Sequence, residues 1–174
     1  MARKQNPITR FYEIRPKSGW ARIWLTDDGC ISIISDHGTF GYWFGSPGCE
    51  FREFLLDCGD DYLGGKFSRG KTEFDGEATV DLIRERILHL RRHTNISRGD
   101  ARREWEKLPT VFDSPEDFSS WVCESTHIRD AYELSCYVTP WNVQHFLKHQ
   151  WPLFVAQLKA ELDAEQTQQV ASGT

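Results

Sequence analysis

The sequence predicts an α+β fold: an N-terminal four-stranded antiparallel meander with several helices packed on it. Three observations carry this. Up to Gly45, short runs of β-branched and aromatic residues alternate with turn residues. After Gly48 the apolar spacing changes to the helical one. No linker or internal repeat divides the 174 residues, a length that fits one domain. The expected domain is residues 1–165, with a flexible polar tail over 166–174.

The strand candidates are "TRFYEIR", "WARIWLT", "GCISIIS" and "TFGYWFG", separated by "PKSG", "DDG" and "DHG". Asp28-Gly29 and His37-Gly38 supply the turn chemistry of tight hairpins, and short connections favour antiparallel neighbours. In the last strand, Phe40, Tyr42 and Phe44 share one face and Trp43 takes the other. The first three are expected to form core with the helices. Apolar groups on both faces predict a sheet at least partly covered on both sides.

"CEFREFLLDC" places Phe51, Phe54 and Leu55 at helical spacing, and "DDYLGGKFSRGKTEFDG" reads as a broken, glycine-rich segment. "EATVDLIRERILHLRRH" carries the stripe Val80, Ile83, Ile87 and Leu90, with Asp75 as its N-cap. "SRGDARREWEKL" is a polar helix capped by Ser97. Ser114-Pro115-Glu116-Asp117 starts the next helix, with Phe118, Trp121 and Val122 on its buried face. Thr139-Pro140 repeats the start signal. "WPLFVAQLKAEL" then sets Trp151, Phe154, Val155, Leu158 and Leu162 on one stripe.

Composition excludes several classes. A net charge of −5 does not suit a general polyanion binder. Cys30, Cys49, Cys58, Cys123 and Cys136 are odd in number and form no C-x-x-C pair, so reduced, mostly buried thiols are expected. No apolar run approaches the roughly 20 residues of a membrane helix. "MARKQNPITRF" lacks the apolar segment of a signal peptide. The charge falls in blocks: +5 over residues 1–26, −7 over 27–61, +3 over 62–107 and −6 over 108–174. Such asymmetry bears on partners more than on fold.

His89/His93 and His145/His149 sit at metal-ligand spacing on helices, and Glu85 extends the first pair. Neither pair has the H-E-x-x-H arrangement, and Arg91 and Arg92 would repel a cation. Solvated helix faces are the expectation. Asp57, Asp60 and Asp61 would share one helical side if the helix continued, as a divalent-ion site needs, but a solvated acidic turn explains them too. "GKFSRGK" is not a phosphate loop, and no G-x-S-x-G occurs. The set Arg84, Arg86, Arg91, Arg92, Arg98, Arg102 and Arg103 suits phosphate contacts. Glu85, Asp100, Glu104 and Glu106 interleave with it, as on an exposed face of i, i+4 pairs.

"ISIISDHGTFGYWFGSPGCEFREFLLDCGDDYLGGKFS" followed by "FDGEATVDLIRERILHLRR" resembles a group of small accessory proteins of tailed bacteriophages and prophages. The likeness rests on Ser35-Asp36-His37-Gly38, the aromatic strand Phe40–Phe44, Phe51–Leu55, Tyr62-Leu63, Lys66-Phe67 and the Asp75–Arg92 helix. It covers about residues 20–92, and the closing "WPLFVAQLKAEL" fits it as well. The resemblance implies a phage origin. It carries no reaction, and so no catalytic residue. Small phage proteins of this kind often bind and block host machinery, CRISPR–Cas defence included.

The resulting expectation is a non-enzymatic protein without cofactor or catalytic metal, in the cytoplasm of an infected bacterium, with no membrane partner. It would bind and inhibit a host protein complex, of the antiviral defence or nucleic-acid-handling kind, through Asp36, Glu50, Glu53, Asp57, Asp60 and Asp61. The alternatives are a nucleic-acid-binding protein using Arg84, Arg91, Arg92, Arg98, Arg102 and Arg103, and a metal-dependent enzyme.

Overall fold

The structure, a computed structural model, describes residues 7–17, 19–93, 95–128 and 130–172. The basic start up to residue 6 and the last two residues of the expected tail lie outside the described residues. The strands are β1 (Thr9–Ile14), β2 (Ala21–Thr26), β3 (Cys30–Ser35), β4 (Gly38–Trp43), β5 (Glu73–Phe74) and β6 (Tyr137–Val138). The helices are α1 (Phe51–Asp57), α2 (Asp60–Phe67), α3 (Gly76–Arg92), α4 (Arg98–Lys107), α5 (Pro115–Glu124), α6 (Trp141–His149) and α7 (Trp151–Ser172), with a 3-10 turn at Ala131–Leu134. The chain forms two compact units, one reaching to Lys71 and resuming at Thr139, the other spanning Thr72–Val138.

In the first unit the meander forms as expected, with β1 to β4 antiparallel in sequence order. Gly29 and Gly38, at φ 88° and 130°, hold the two hairpin turns that a side chain would strain. The two-residue period then sorts the faces. Tyr12, Ile14, Ile23, Leu25, Ile31 and Ile33 are buried on one face. Phe40 joins them, and Tyr42 and Phe44 pack half-buried at the edge of the same core.

The other face corrects the expectation of cover on both sides. It stays open over Phe11, Ile34 and Trp43, with Phe11 54% and Trp43 65% exposed, and Trp24 half-buried among them. A two-residue period marks which residues share a face, and says nothing about what lies on that face.

Helices α1, α2, α6 and α7 close the buried face. The first half of the glycine-rich segment, Asp60–Phe67, is helical, another correction, while the rest is broken as expected. Two glycines inside a helix cost about 1 kcal/mol each relative to alanine. Packing outweighs this: Leu63 and Phe67, one turn apart, are 0% and 4% exposed. Gly64 lets Thr139 approach closely, since a Cβ there would lie 3.2 Å from Thr139 Oγ1. Gly65 has no such neighbour within 4 Å. Gly65→Ala is therefore expected to raise stability by about 0.5–1 kcal/mol, read as a higher urea midpoint. A lowered midpoint would show that α2 is not held as a helix here.

Helix α6 begins one residue later than its Thr-Pro signal implies: Pro140 is the N-cap and no side chain caps the helix. Helix α7 buries Trp151, Phe154, Leu158 and Leu162, keeps Val155 at the rim, and continues through the polar segment to Ser172. An ion network ties α7 to α1 and β1. Arg52, 5% exposed, meets Glu50 at 2.8 Å, Glu161 at 2.9 Å and Glu165 at 2.7 Å. Tyr12 donates to Glu161 at 2.8 Å, and burial followed by that carboxylate pushes its hydroxyl pKa up. Such a network fixes how the elements meet more than it adds net stability.

The second unit packs α3, α4, α5 and the 3-10 turn around Val80, Ile83, Ile87, Phe112, Phe118 and Trp121. Each expected cap is in place. Asp75 accepts from the Ala78 amide at 2.9 Å, Ser97 from Asp100 at 3.1 Å, and Ser114 from Asp117 at 3.1 Å, with Pro115 at the first helical position. β5 and β6 pair antiparallel, Glu73 opposite Val138 and Phe74 opposite Tyr137. On the polar helix α4, Glu104 points inward and is 1% exposed, while Trp105 is 43% exposed. Glu104 accepts from the Ser125 hydroxyl at 3.2 Å and the Thr126 amide at 3.3 Å, and lies 2.8 Å from His127 Nδ1. Burial alone would raise its pKa. The His127 contact and the two donors outweigh burial and hold it below the usual carboxylate range.

Candidate functional site

Four exposed carboxylates lie on α1 and α2. Glu53 and Asp57 stand one turn apart on α1, and Asp60 and Asp61 form the first turn of α2. All four are exposed, and none has an ion-pair partner among the described residues. Between the helices, Cys58 and Gly59 are both extended, with ψ of 123° and 154°. The continuous helix on which Asp57, Asp60 and Asp61 would share a side therefore does not form. The Leu63 amide instead starts α2 by bonding to the Gly59 carbonyl at 3.1 Å.

The helix ends give these acids different standing. Asp60 and Asp61 complement the positive end of α2. Asp57 closes α1, where the backbone end is negative and no basic residue balances it. Its charge opposes the local fold and suits an outside cation.

Aromatic rings adjoin the acids. Tyr62, 46% exposed, follows Asp61 directly; its ring lies 6.4 Å from Phe54 and 6.2 Å from Phe44. Lys66 Nζ sits 4.9 Å from the Tyr42 ring and 5.1 Å from that of Tyr62. The sequence places Phe44 in the core and Phe54 at helical spacing, and Tyr62 enters only through the resemblance.

The other two expected acids are occupied inside the protein. Glu50 pairs with Arg52 at 2.8 Å. Asp36 accepts from the buried Gln150 side chain at 2.5 Å and the Trp20 amide at 3.2 Å. Burial tends to raise the Asp36 pKa, and these two donors bring it below its ordinary value.

The arginine set lies in the second unit and is largely paired. Arg84 meets Asp81 at 2.9 Å, and Arg102 meets Glu106 at 2.7 Å. Arg86 pairs with Asp130 and Arg103 with Asp100. Arg91, Arg92 and Arg98 are exposed without an ion pair among the described residues.

The histidines form two ring clusters. His89 and His93 lie 4.4 Å apart. His145 lies 4.9 Å from His149, 5.3 Å from His37 and 4.2 Å from Trp141. Desolvation, then the neighbouring His149, His37 and Lys148, lowers the His145 pKa. Among the described residues no group of three or more His, Cys, Asp or Glu is arranged to hold a metal ion. The cysteines correct the expectation of mostly buried thiols. All five are free; Cys49 and Cys123 are exposed, and Cys30, Cys58 and Cys136 are half-buried. No helix among the described residues is long and apolar enough to cross a membrane.

Compared with known proteins, the sequence matches a phage family, Phage_phiTE_072, over residues 1–160. No curated protein and no solved structure matches it.

Proposed function

The chain belongs to this phage family, and on that premise we propose that it is a non-enzymatic inhibitor of a host protein complex. Its target is a basic surface on a nucleic-acid-handling machine in the cytoplasm of the infected bacterium. A CRISPR–Cas-type defence complex is the leading case. One observation carries this reading: Glu53, Asp57, Asp60 and Asp61 are exposed and unpaired beside Tyr62, while most of the arginine set is neutralised by its own neighbours. Machines that bind nucleic acid line their channels with Lys and Arg. Carboxylates spaced along two helix ends can occupy such a channel, and their field speeds the encounter.

Reversing Asp57, Asp60 and Asp61 to Lys is expected to abolish capture of the partner from host lysate. Losing the two first-turn aspartates of α2 costs about 0.3–1 kcal/mol each, so the melting temperature should fall modestly while unfolding stays cooperative. Changing Arg91, Arg92 and Arg102 to Ala should leave capture intact. The nucleic-acid reading predicts the reverse order. Steeply salt-dependent binding of the wild type to plain DNA or RNA, lost with the arginines and kept with the aspartates reversed, would overturn the proposal.

A further inference from the structure

We infer that the open face of the β1–β4 sheet is an interface with a second copy of this chain. Register sets three rows across that face. The middle row runs Phe11, Trp24, Ser32, Gly41; one flanking row runs Glu13, Arg22, Ile34, Thr39; the other ends on Cys30 and Trp43. The Phe11 and Trp24 rings lie 5.3 Å apart, tilted by 42°, and Ile34 is 42% exposed. Beside these rings, Ser32 and Gly41 leave a low floor. Exposed apolar surface gathered on one sheet face is what a docking surface presents, and a paired second sheet would bury it.

Charge selects the occupant. At the β1–β2 end of the face, Arg15, Lys17 and Arg22 are exposed, with Glu13 among them at 2.9 Å from Arg15 and 3.3 Å from Arg22; the other acid at this end, Asp36, is engaged by Gln150 and the Trp20 amide. At the β2–β3 end, Asp27 and Asp28 are exposed, Asp27 accepts from the Ile8 amide at 3.0 Å, and neither has an ion-pair partner among the described residues. One face thus has a basic end and an acidic end along the strands. A two-fold axis lying in the interface and perpendicular to the strands sets the basic end of each copy over the acidic end of the other. An interface of this kind must be self-complementary, and these ends satisfy that requirement. The same operation lays Trp43 over the partner's Thr39 and next to the partner's Gly41, both small. Nucleic acid would be attracted at one end and repelled at the other.

The face measures about 20 Å along strands of six residues and about 19 Å across four strands. That is small for a specific interface, so the expected dimer dissociates in about the micromolar range.

Sedimentation velocity over a dilution series tests this on the full chain. A monomer–dimer equilibrium is expected. Phe11→Ser with Trp43→Ser should leave a folded monomer. Asp27→Lys with Asp28→Lys should weaken association by about tenfold or more, through like charges placed opposite each other. Adding Arg15→Glu and Lys17→Glu to that variant should restore it. A wild type that stays monomeric throughout, a dimer indifferent to the Phe11 and Trp43 substitutions, or a reversed pair that the second reversal does not rescue would each overturn the inference. So would oligonucleotide binding to this face by a strictly monomeric protein. The α1–α2 acids are unchanged in all these variants, so the capture experiment on Asp57, Asp60 and Asp61 succeeds or fails separately.

Discussion

Phe146→Ala is expected to remove about 3–5 kcal/mol of stability, the cost of deleting a buried phenylalanine and leaving its cavity. Phe146 is 0% exposed. Its ring lies 5.3 Å from Phe40 of β4, 6.2 Å from Phe67 of α2 and 6.2 Å from Trp151 of α7. One side chain of α6 therefore touches the sheet and two other helices. Neighbours drawn from separate elements cannot collapse together without moving backbone, which keeps the cavity open. Urea unfolding followed by far-UV circular dichroism measures the loss. A change below about 1 kcal/mol would show that the four elements do not meet at this ring.

Gly76→Ala is expected to cost about 3 kcal/mol or more, at the upper end for overpacking. The sign is the point, because alanine normally favours a helix by about 1 kcal/mol over glycine. Gly76 opens α3 directly after its cap Asp75. A Cβ there would overlap the carbonyl oxygen of Phe112. The obstacle is backbone, which cannot rotate away. Phe112 is itself held, 4% exposed, with its ring 5.4 Å from Phe118 and 5.9 Å from Trp121. The same substitution at Gly65 should act in the opposite direction, so the two variants check each other. A stabilised Gly76→Ala would place Phe112 elsewhere.

The strands and helix starts were legible because local chemistry decides them. Gly29 and Gly38 mark turns, and Asp75, Ser97 and Ser114 cap helices, whatever lies far off in the chain. Helix α2 was not legible, since its glycines argue against it and only Thr139 and Leu147, distant in sequence, explain Gly64. The inversion on α4, with Glu104 inside and Trp105 outside, depends on donors at Ser125, Thr126 and His127. No periodicity announces it. The two-residue pair β5–β6 is too short to leave a pattern. At the candidate site, the acidic character of residues 27–61 was plain in the sequence. Which acids remain unpaired was not, because Arg52 and Gln150 engage Glu50 and Asp36 through contacts the chain order hides.

The β5–β6 pair has an evolutionary and practical consequence. Glu73 faces Val138 across an antiparallel ladder, so the points where the chain enters and leaves the second unit are neighbours, about 5 Å apart at Cα. A segment with adjoining ends can be acquired or lost as a cassette, because the host fold sees little more than a loop closed at one place. The sheet-bearing unit keeps its own core of strands and four helices on either side of that seam. Joining Lys71 to Thr139 by a short Gly-Ser bridge is then a route to a miniature carrying both the α1–α2 acids and the open sheet face.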